Sequence, residues 1–176
     1  LKTLALAARA QDIGFTVDAE EADRLDLSLD VIEAVYSDSQ LSGWEGFGLA
    51  VQAYQKRAPF VIDWAVALAR RVGRTIMVRL LKGAYGYSEI KWSQIEGYSD
   101  YPVFTRKPST DLCYQACARS LLAARDALYP QFATHNAYTV ATILELDREA
   151  VGKPRQGYEF QRLHGMGEAL YDQVMK

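Results

Sequence analysis

The chain has 176 residues, of which 49% are apolar and 24% charged, and its 20 basic and 22 acidic residues leave a net charge of −2. This is enough apolar material for one hydrophobic core, and the balanced charge excludes a surface of one sign that would attract nucleic acid or an anionic membrane. The apolar runs are shorter than the roughly 18 residues of a membrane-spanning helix, so we do not expect an integral membrane protein.

The N-terminus and the cysteines indicate where the sequence begins and in which redox environment the protein lies. The first residues lack a starting Met and a signal-peptide pattern, which predicts that the sequence begins inside a helix. Cys113 and Cys117 are four residues apart on one predicted helix face. We interpret them as buried apolar side chains in a reducing, cytosolic protein.

Strands and helices alternate along the sequence. In chain order we predict a helix over 1–12, a strand over 15–17, a helix over 20–36, a strand over 47–51, a helix over 58–72, a strand over 75–81, a short helix over 88–95, a helix from 109 or 110 to 128, a strand over 130–134, a helix over 136–146, a surface loop over 147–157, a strand over 158–163 and a helix over 167–175. Pro59 suits a helical first turn, and Gly73 suits the end of the same helix. This alternation favours a parallel α/β sheet.

Two architectures have this alternation, an open doubly wound sheet and part of a (βα)8 barrel. The glycine-rich G-x-G-x-x-G turn that a doubly wound nucleotide-binding sheet would carry is absent from the sequence. Polar residues instead follow the end of each predicted strand, namely Asp18, Gln52, Arg79 with Lys82, Thr134 with His135, and Gln161 with His164. Barrel enzymes line their active site in this way, so we predict a partial barrel of about five βα units over residues 1–176, truncated at both ends.

Arg79 is the most informative single residue, because it interrupts an apolar predicted strand. A strand that is buried on both faces should be continuously apolar, and a buried guanidinium needs an anionic or acceptor-rich partner. That partner is either an acidic residue such as Asp18 in an internal ion pair, or a ligand or cofactor.

Other candidate site residues have two interpretations each. Lys82 is either a solvated lysine or a group that forms a Schiff base or binds phosphate, and Gly83 would let the backbone approach a ligand. Asp18 has capping-box spacing with Glu21, which favours a helix-capping role from the residues alone. His135 and His164 lack the neighbouring ligands of a zinc or diiron site, and no G-x-S-x-G element points to acyl hydrolysis.

Six sequence blocks resemble the proline dehydrogenase domain of the bifunctional proline utilization A (PutA) flavoenzymes. The blocks are 18–25 (DAEEADRL), 52–57 (QAYQKR), 79–85 (RLLKGAY), 101–107 (YPVFTRK), 129–136 (YPQFATHN) and 161–167 (QRLHGMG). The resemblance covers nearly the whole chain. It implies a (βα)8 barrel that binds FAD non-covalently and oxidises L-proline to Δ1-pyrroline-5-carboxylate, with hydride transfer to flavin N5 and electrons passed to a membrane quinone.

The resemblance also assigns roles to residues of this sequence. It implies that Arg79 lies near flavin N5, that Gln52 and Gln161 contact the flavin, and that Leu163 packs beside the proline ring. It gives Asp18 the role of an active-site carboxylate that orders the cationic groups, in place of capping. The residues implied to bind the ribityl chain, phosphates and adenosine are Lys82, Gly83, Ala84, Thr105, Arg106, Lys107, Thr134, His135 and Asn136.

The sequence departs from the family pattern in three places. Gly86 and Tyr87 stand where the family usually has Trp-Asp, and the early strand with a substrate-binding lysine and the final helix with an arginine pair are both absent. We therefore expect most of the flavin site here, and flanking modules in a larger cytoplasmic polypeptide with peripheral contact at the inner membrane. Two other functions stay open: a Schiff-base aldolase that uses Lys82, and a catalytically incomplete piece that acts only as a flavin-site scaffold.

Overall fold

The computed structural model describes residues 1–84, 86–149 and 157–175. Strands and helices alternate along these residues, as the sequence predicts. The strands are β1 (Phe15–Val17), β2 (Phe47–Gln52), β3 (Ile76–Leu81), β4 (Leu128–Ala133) and β5 (Glu159–Gln161), and the helices are α1 (Lys2–Ala10), α2 (Leu25–Tyr36), α3 (Ala58–Val72), α4 (Gly86–Ile95), α5 (Lys107–Ala123), α6 (Ala137–Glu149) and α7 (Glu168–Val174).

The five strands form one parallel sheet in the order β1-β2-β3-β4-β5. A doubly wound sheet reverses its strand order at a switch point, whereas a barrel adds each strand beside the previous one. The sequential order therefore agrees with the predicted barrel segment rather than with the doubly wound alternative.

The two faces of the sheet differ in character. On the outer face, Val78, Leu80 and Phe132 are fully buried and join one hydrophobic core with α3 and α5. The inner face alternates with it along each strand, so that register places inner residues of neighbouring strands side by side. One inner row contains Ala50, Arg79, Gln131 and Glu159, and the next row towards the strand ends contains Gln52 beside Leu81 and Ala133 beside Gln161.

Most predicted elements are confirmed, with shifted ends. Helix α3 has the predicted bounds, and Gly73 ends it in a left-handed conformation with φ of +72°. Helix α5 begins at Lys107 instead of at 109 or 110, because Pro108 occupies its first turn, where the missing N–H costs no hydrogen bond.

Other predicted ends were wrong, among them the end of α5, which lies at Ala123 instead of at 128, where β4 begins. The predicted helix 20–36 opens with a separate 3-10 turn (Ala22–Arg24), and the predicted strand 158–163 is shorter as β5. The predicted loop 147–157 is wrong at 147–149, which continue α6, and its part from 150 to 156 lies outside the described residues. Within the described residues, no helix combines the length and the apolar character needed to cross a bilayer.

Candidate active site

A cavity of about 920 Å³ opens at the carboxyl ends of the strands. Its volume is in the range of ligand and cofactor sites, roughly 300–1,000 Å³. Its lining residues are Asp18, Arg79, Leu81, Lys82, Gly83, Ala84, Lys107, Ala133, Thr134, His135, Asn136, Gln161, Arg162 and Leu163. The cavity thus brings together most of the site residues that the sequence predicts.

Arg79 lies on the inner face of β3 and joins the first and last strands of the sheet. Its Nη1 donates a hydrogen bond to Asp18 Oδ1 at 2.7 Å, and its Nε donates to Gln161 Oε1 at 2.8 Å. The expectation of a strand buried on both faces was wrong, because the outer side chains of β3 are buried and the inner ones half-buried. Arg79 is half-buried beside the cavity, and its guanidinium needs less compensation than a fully buried one.

Asp18 contacts Arg79 and caps no helix. The residue at the start of the 3-10 turn is Glu21, and no side chain accepts a capping hydrogen bond there. The capping interpretation of Asp18 was therefore wrong, and the ion pair with Arg79 takes its place. The Asp18 side chain is 75% exposed, so the pair lies at the open edge of the cavity.

Two lysines of the cavity converge on Asp111, a residue that the sequence analysis missed. Lys82 Nζ and Lys107 Nζ each lie 2.5 Å from a carboxylate oxygen of Asp111, on α5. Hydrogen bonds from Lys107 and then Lys82 hold the pKa of Asp111 below its ordinary value. The spacing of Lys107 and Asp111, four residues apart on one helix, is the signal that could have indicated this cluster.

The segment between β4 and α6, residues 134–136, forms part of the cavity wall. Asn136 Oδ1 accepts the Thr139 backbone N–H at 3.0 Å, which caps the first turn of α6. The hydroxyl of Tyr171 donates to the Thr134 carbonyl at 2.6 Å, and the Leu163 backbone N–H donates to His135 Nε2 at 3.0 Å. These contacts fix the segment to β5 and α7, so the wall is built from three successive elements.

Gly83, which the sequence predicts to let the backbone approach a ligand, lies against an aromatic ring of the chain itself. Its φ is +140°, and a Cβ atom there would lie 2.4 Å from the ring of Tyr54. Gly83 lines the cavity, but its close approach is to this ring. The need for glycine at this position is explained by packing within the chain.

Gln52 lies behind the cavity wall. It is buried, its Nε2 donates to the Glu20 carbonyl at 3.1 Å, and its Oε1 accepts the Ala84 backbone N–H at 3.2 Å. The side chain therefore ties the segment after β1 to the segment after β3. Its contact with a flavin stays a prediction.

Of three further predicted residues, two lie outside the cavity lining and one lies in it. Thr105 and Arg106 are exposed and do not belong to the cavity lining, unlike their neighbour Lys107. Leu163 lines the cavity and is 65% exposed, and its contact with the proline ring stays a prediction.

Glu159 is a second acidic residue that the sequence analysis missed. Its Oε1 accepts hydrogen bonds from Gln161 Nε2 at 2.7 Å and from Gln131 Nε2 at 3.0 Å. Its Oε2 accepts from the Tyr129 hydroxyl at 3.4 Å. Burial and, next, the Glu159 charge raise the pKa of Tyr129. The carboxylate is thus joined through Gln161 to Arg79.

A comparison with protein families decides the assignment. The model of the family described as proline dehydrogenase matches residues 1–176. The chain belongs to the proline dehydrogenase family. Within this family the chain is 57% identical, over 175 residues, to the bifunctional protein PutA of Klebsiella aerogenes, and 56% identical to that of Rhizobium meliloti. These alignments cover 99% of the chain but 13% and 14% of the two relatives.

Solved structures of PutA proteins agree with the fold. A PutA structure from Bradyrhizobium japonicum is 62% identical, with a TM-score of 0.93, and the match covers 98% of this chain and 17% of that one. The PutA of Bdellovibrio bacteriovorus, inactivated by N-propargylglycine, is 26% identical and also has a TM-score of 0.93 over 99% of this chain. The five-stranded parallel sheet is therefore of the TIM-barrel type found in PutA proline dehydrogenase domains.

Proposed function

We propose that this chain forms the flavin-binding part of an FAD-dependent proline dehydrogenase, which oxidises L-proline to Δ1-pyrroline-5-carboxylate. The observation that carries the proposal is the Arg79 guanidinium, held between Asp18 and Gln161 at the cavity edge. A fixed cation at this place suits a ring system that gains electrons. Family membership supplies the substrate class.

The charges of the cavity fit a dianionic dinucleotide such as FAD. Its lining carries four cationic side chains, namely Arg79, Lys82, Lys107 and Arg162, against one carboxylate, Asp18. Asp18 is paired with Arg79, and Lys82 and Lys107 share the single carboxylate of Asp111, so these cations outnumber their carboxylates and leave positive charge for phosphates. The first turn of α6 adds the positive end of a helix dipole to the same wall.

The apolar lining fits the flat part of the same cofactor. Leu81, Ala133 and Leu163 present apolar surface between the polar groups of the cavity. When bound, FAD would accept at N5 the hydride from the proline carbon next to the nitrogen and deliver the electrons to a quinone. The protein's contribution is to bind this ring and to stabilise the charge that reaches it.

Each residue has a distinct part in the proposed mechanism. Arg79 stabilises the negative charge of the reduced ring, and Asp18 keeps the guanidinium oriented at the edge of the site. Lys82 and Lys107, bridged by Asp111, neutralise phosphate charge. Gln52 lies behind the wall and keeps Ala84 in place, and its contact with the isoalloxazine edge is implied by the family pattern alone.

The other assigned residues complete the cofactor and substrate contacts. Thr134, His135 and Asn136, with Thr105 and Arg106, contact the adenosine and phosphates, and Gln161 contacts the flavin. Leu163 packs against the proline ring.

Other parts of the polypeptide complete the site in this proposal. The chain spans about an eighth of the length of the curated relatives that it matches. Residues 1–176 would supply five βα units, and the remaining strands and the group that binds the substrate carboxylate would come from elsewhere in a bifunctional polypeptide. Electron transfer to a quinone would take place at the inner membrane surface, with the protein bound peripherally.

The Schiff-base alternative fits the site less well. A Schiff-base lysine is activated by an apolar pocket or by a neighbouring cation without a counter-charge. Lys82 Nζ instead lies 2.5 Å from Asp111 Oδ1, in a charge pair. The aldolase alternative also gives no role to Arg79 and Gln161.

The test uses the full-length parent protein. We expect it to purify with a flavin absorbance spectrum, and L-proline to bleach that spectrum without oxygen and to reduce a quinone. Lys107→Gln should lower the affinity for FAD. Lys2→Gln is the control and should not lower it, because Lys2 forms an ion pair with Asp38 and neither residue lines the cavity. A colourless protein that gains no activity when FAD is added would overturn the proposal. Borohydride trapping of a carbonyl compound on Lys82 would favour the aldolase.

The scaffold alternative requires a separate preparation. The isolated 176-residue piece, free of full-length protein, should bind FAD weakly and should not oxidise proline. Proline turnover by this piece would exclude the scaffold alternative.

A further inference from the structure

Glu159 lies in the same inner row of the sheet as Arg79, one row deeper than Gln161. It pairs with Gln131 in the register of β4 and β5, two residues before Gln161 on the same strand. It is not among the lining residues of the cavity. A role for Glu159 at the site must therefore act through a neighbour.

The direction of the hydrogen bonds makes that neighbour Gln161. A single oxygen of Glu159, Oε1, accepts an amide N–H from both Gln131 and Gln161. An amide that gives its nitrogen to Glu159 must present its oxygen on the other side. The Gln161 oxygen then accepts from Arg79 Nε at 2.8 Å.

We propose that Glu159 is a positioning residue that fixes the orientation of the Gln161 amide and thereby holds the Arg79 guanidinium at the flavin site. The inference rests on the proposed function, because it assumes that Arg79 acts on a bound flavin. With Nε bound to Gln161 and Nη1 bound to Asp18, the guanidinium is fixed at two atoms. Its Nη2 makes no hydrogen bond to any described residue, and it is the atom left for the cofactor.

A reversed Gln161 amide shows why the orientation matters. Its NH2 group would face Arg79 Nε, which is itself a donor, and the hydrogen bond would be lost. Asp18 alone would then hold the guanidinium, at the exposed edge of the cavity. A mobile arginine stabilises the charge of a reduced ring less well than a preorganised one.

The matched variants separate this role from strand packing. Glu159→Met removes both acceptor oxygens at similar length, whereas Glu159→Gln keeps one acceptor oxygen. Tyr129→Phe removes only the hydrogen bond to Oε2 and leaves the Gln161 branch intact. The readout is the midpoint potential of the flavin in the full-length holoprotein, measured beside its melting temperature.

We expect Glu159→Met to lower the potential by about 30 mV or more, which is a tenfold loss in the equilibrium constant for two-electron reduction. Glu159→Gln and Tyr129→Phe should keep the wild-type potential. Gln161→Met should lower the potential as well, and adding Glu159→Met to it should lower it no further, because the two residues act in series.

Each outcome decides whether Glu159 positions Gln161 or only packs within the sheet. An unchanged potential in Glu159→Met, with or without a lower melting temperature, would assign Glu159 to strand packing and overturn the inference. A full additional shift in the double variant would also overturn it. If Glu159→Met fails to fold, an unchanged potential in Gln161→Met overturns it instead. A wild-type protein without flavin overturns the proposed function as well, so the two failures are distinguishable.

Discussion

The Arg79 guanidinium donates to Asp18 across the inner face of the sheet, from β3 to the segment after β1, at 2.7 Å. The two residues are 61 positions apart in the sequence, and the strand between them presents only Ala50 in the same row. A small residue on the middle strand is what lets the long arginine side chain reach over it. The pair therefore depends on the parallel order of three strands.

Arg79→Met separates the electrostatic role of the arginine from a structural one. Exposed ion pairs contribute about 0–1 kcal/mol, and Asp18 is 75% exposed, so its carboxylate stays hydrated when the arginine is removed. We expect the full-length protein to fold with nearly the wild-type melting temperature. The flavin potential should fall, and proline should reduce the flavin far more slowly, because the reduced ring loses a fixed cation.

The opposite result for Arg79→Met has a clear meaning. An unchanged potential with a strongly lowered melting temperature would make Arg79 a structural residue. Loss of a buried ion-pair partner would cost about 3–5 kcal/mol, well above the loss expected for this exposed pair.

Gly83→Ala tests the packing explanation of the glycine after β3. An added Cβ would lie 2.4 Å from the Tyr54 ring, and φ of +140° is unfavourable for any side chain. We expect a loss of about 2–4 kcal/mol in the free energy of unfolding. Gly73→Ala is the matched control, because its φ is +72° with no atom within 4 Å of the added Cβ, and it should cost about 1–2 kcal/mol.

Chemical denaturation of wild type, Gly83→Ala and Gly73→Ala measures the loss in the free energy of unfolding of each variant. Equal losses for the two glycine variants would show that Tyr54 moves aside, and that Gly83 is required for another reason. The flavin content of Gly83→Ala, measured in the same preparations, reports whether the wall of the cavity survives.

The sequence predicted the strands and the side of the sheet where the site lies. Each strand has a polar residue at its carboxyl end, and the parallel order brings those ends together, so Asp18, Arg79 and Gln161 meet as expected. The position of these polar residues at the strand ends can be identified from short stretches of sequence. The apolar residues on both sides of Arg79 were misleading, because one face of β3 packs on helices and the other faces the cavity.

The residues that the sequence analysis missed act through partners that are distant in the chain. Asp111 lies 29 residues from Lys82, and Glu159 lies 28 residues from Gln131. Apart from the spacing of Lys107 and Asp111, four residues apart on α5, such an acid has no pattern that distinguishes it from a solvated one. The register of the strands is needed to show what such an acid contacts.

Asn136 offers a test that separates helix capping from ligand binding. Asn136→Ala removes the oxygen that accepts the Thr139 N–H and should cost about 1 kcal/mol of stability. Asn136→Asp keeps a capping acceptor and should keep the stability. Its new negative charge faces the cavity, so the affinity for FAD should fall roughly tenfold. Melting curves of the apoprotein and FAD titrations measure the two effects, and unchanged FAD binding in Asn136→Asp would place the phosphates elsewhere.

Asp111 predicts a specific dependence of stability on pH. Its hydrogen bonds from Lys107 and Lys82 lower its pKa in the folded protein below the ordinary value of 3.8. A carboxyl group with a lowered pKa binds fewer protons in the folded state, so its contribution to stability is complete above pH 3.8 and is lost as the pH falls through the folded pKa. Wild type should therefore be more stable than Asp111→Asn near neutral pH, and this advantage should shrink at acidic pH.

The pH series includes a variant that isolates one of the two lysines. Lys107→Gln removes the larger cause of the lowered pKa and leaves the ion pair between Lys82 and Asp111. The acid-dependent part of the stability should be smaller in this variant than in wild type, and smallest in Asp111→Asn. Melting temperatures of the full-length protein between pH 3 and 7 measure all three. If the difference between wild type and Asp111→Asn stays constant down to the lowest pH, the two lysines do not stabilise the Asp111 carboxylate, and their charges are available to a ligand without competition from it.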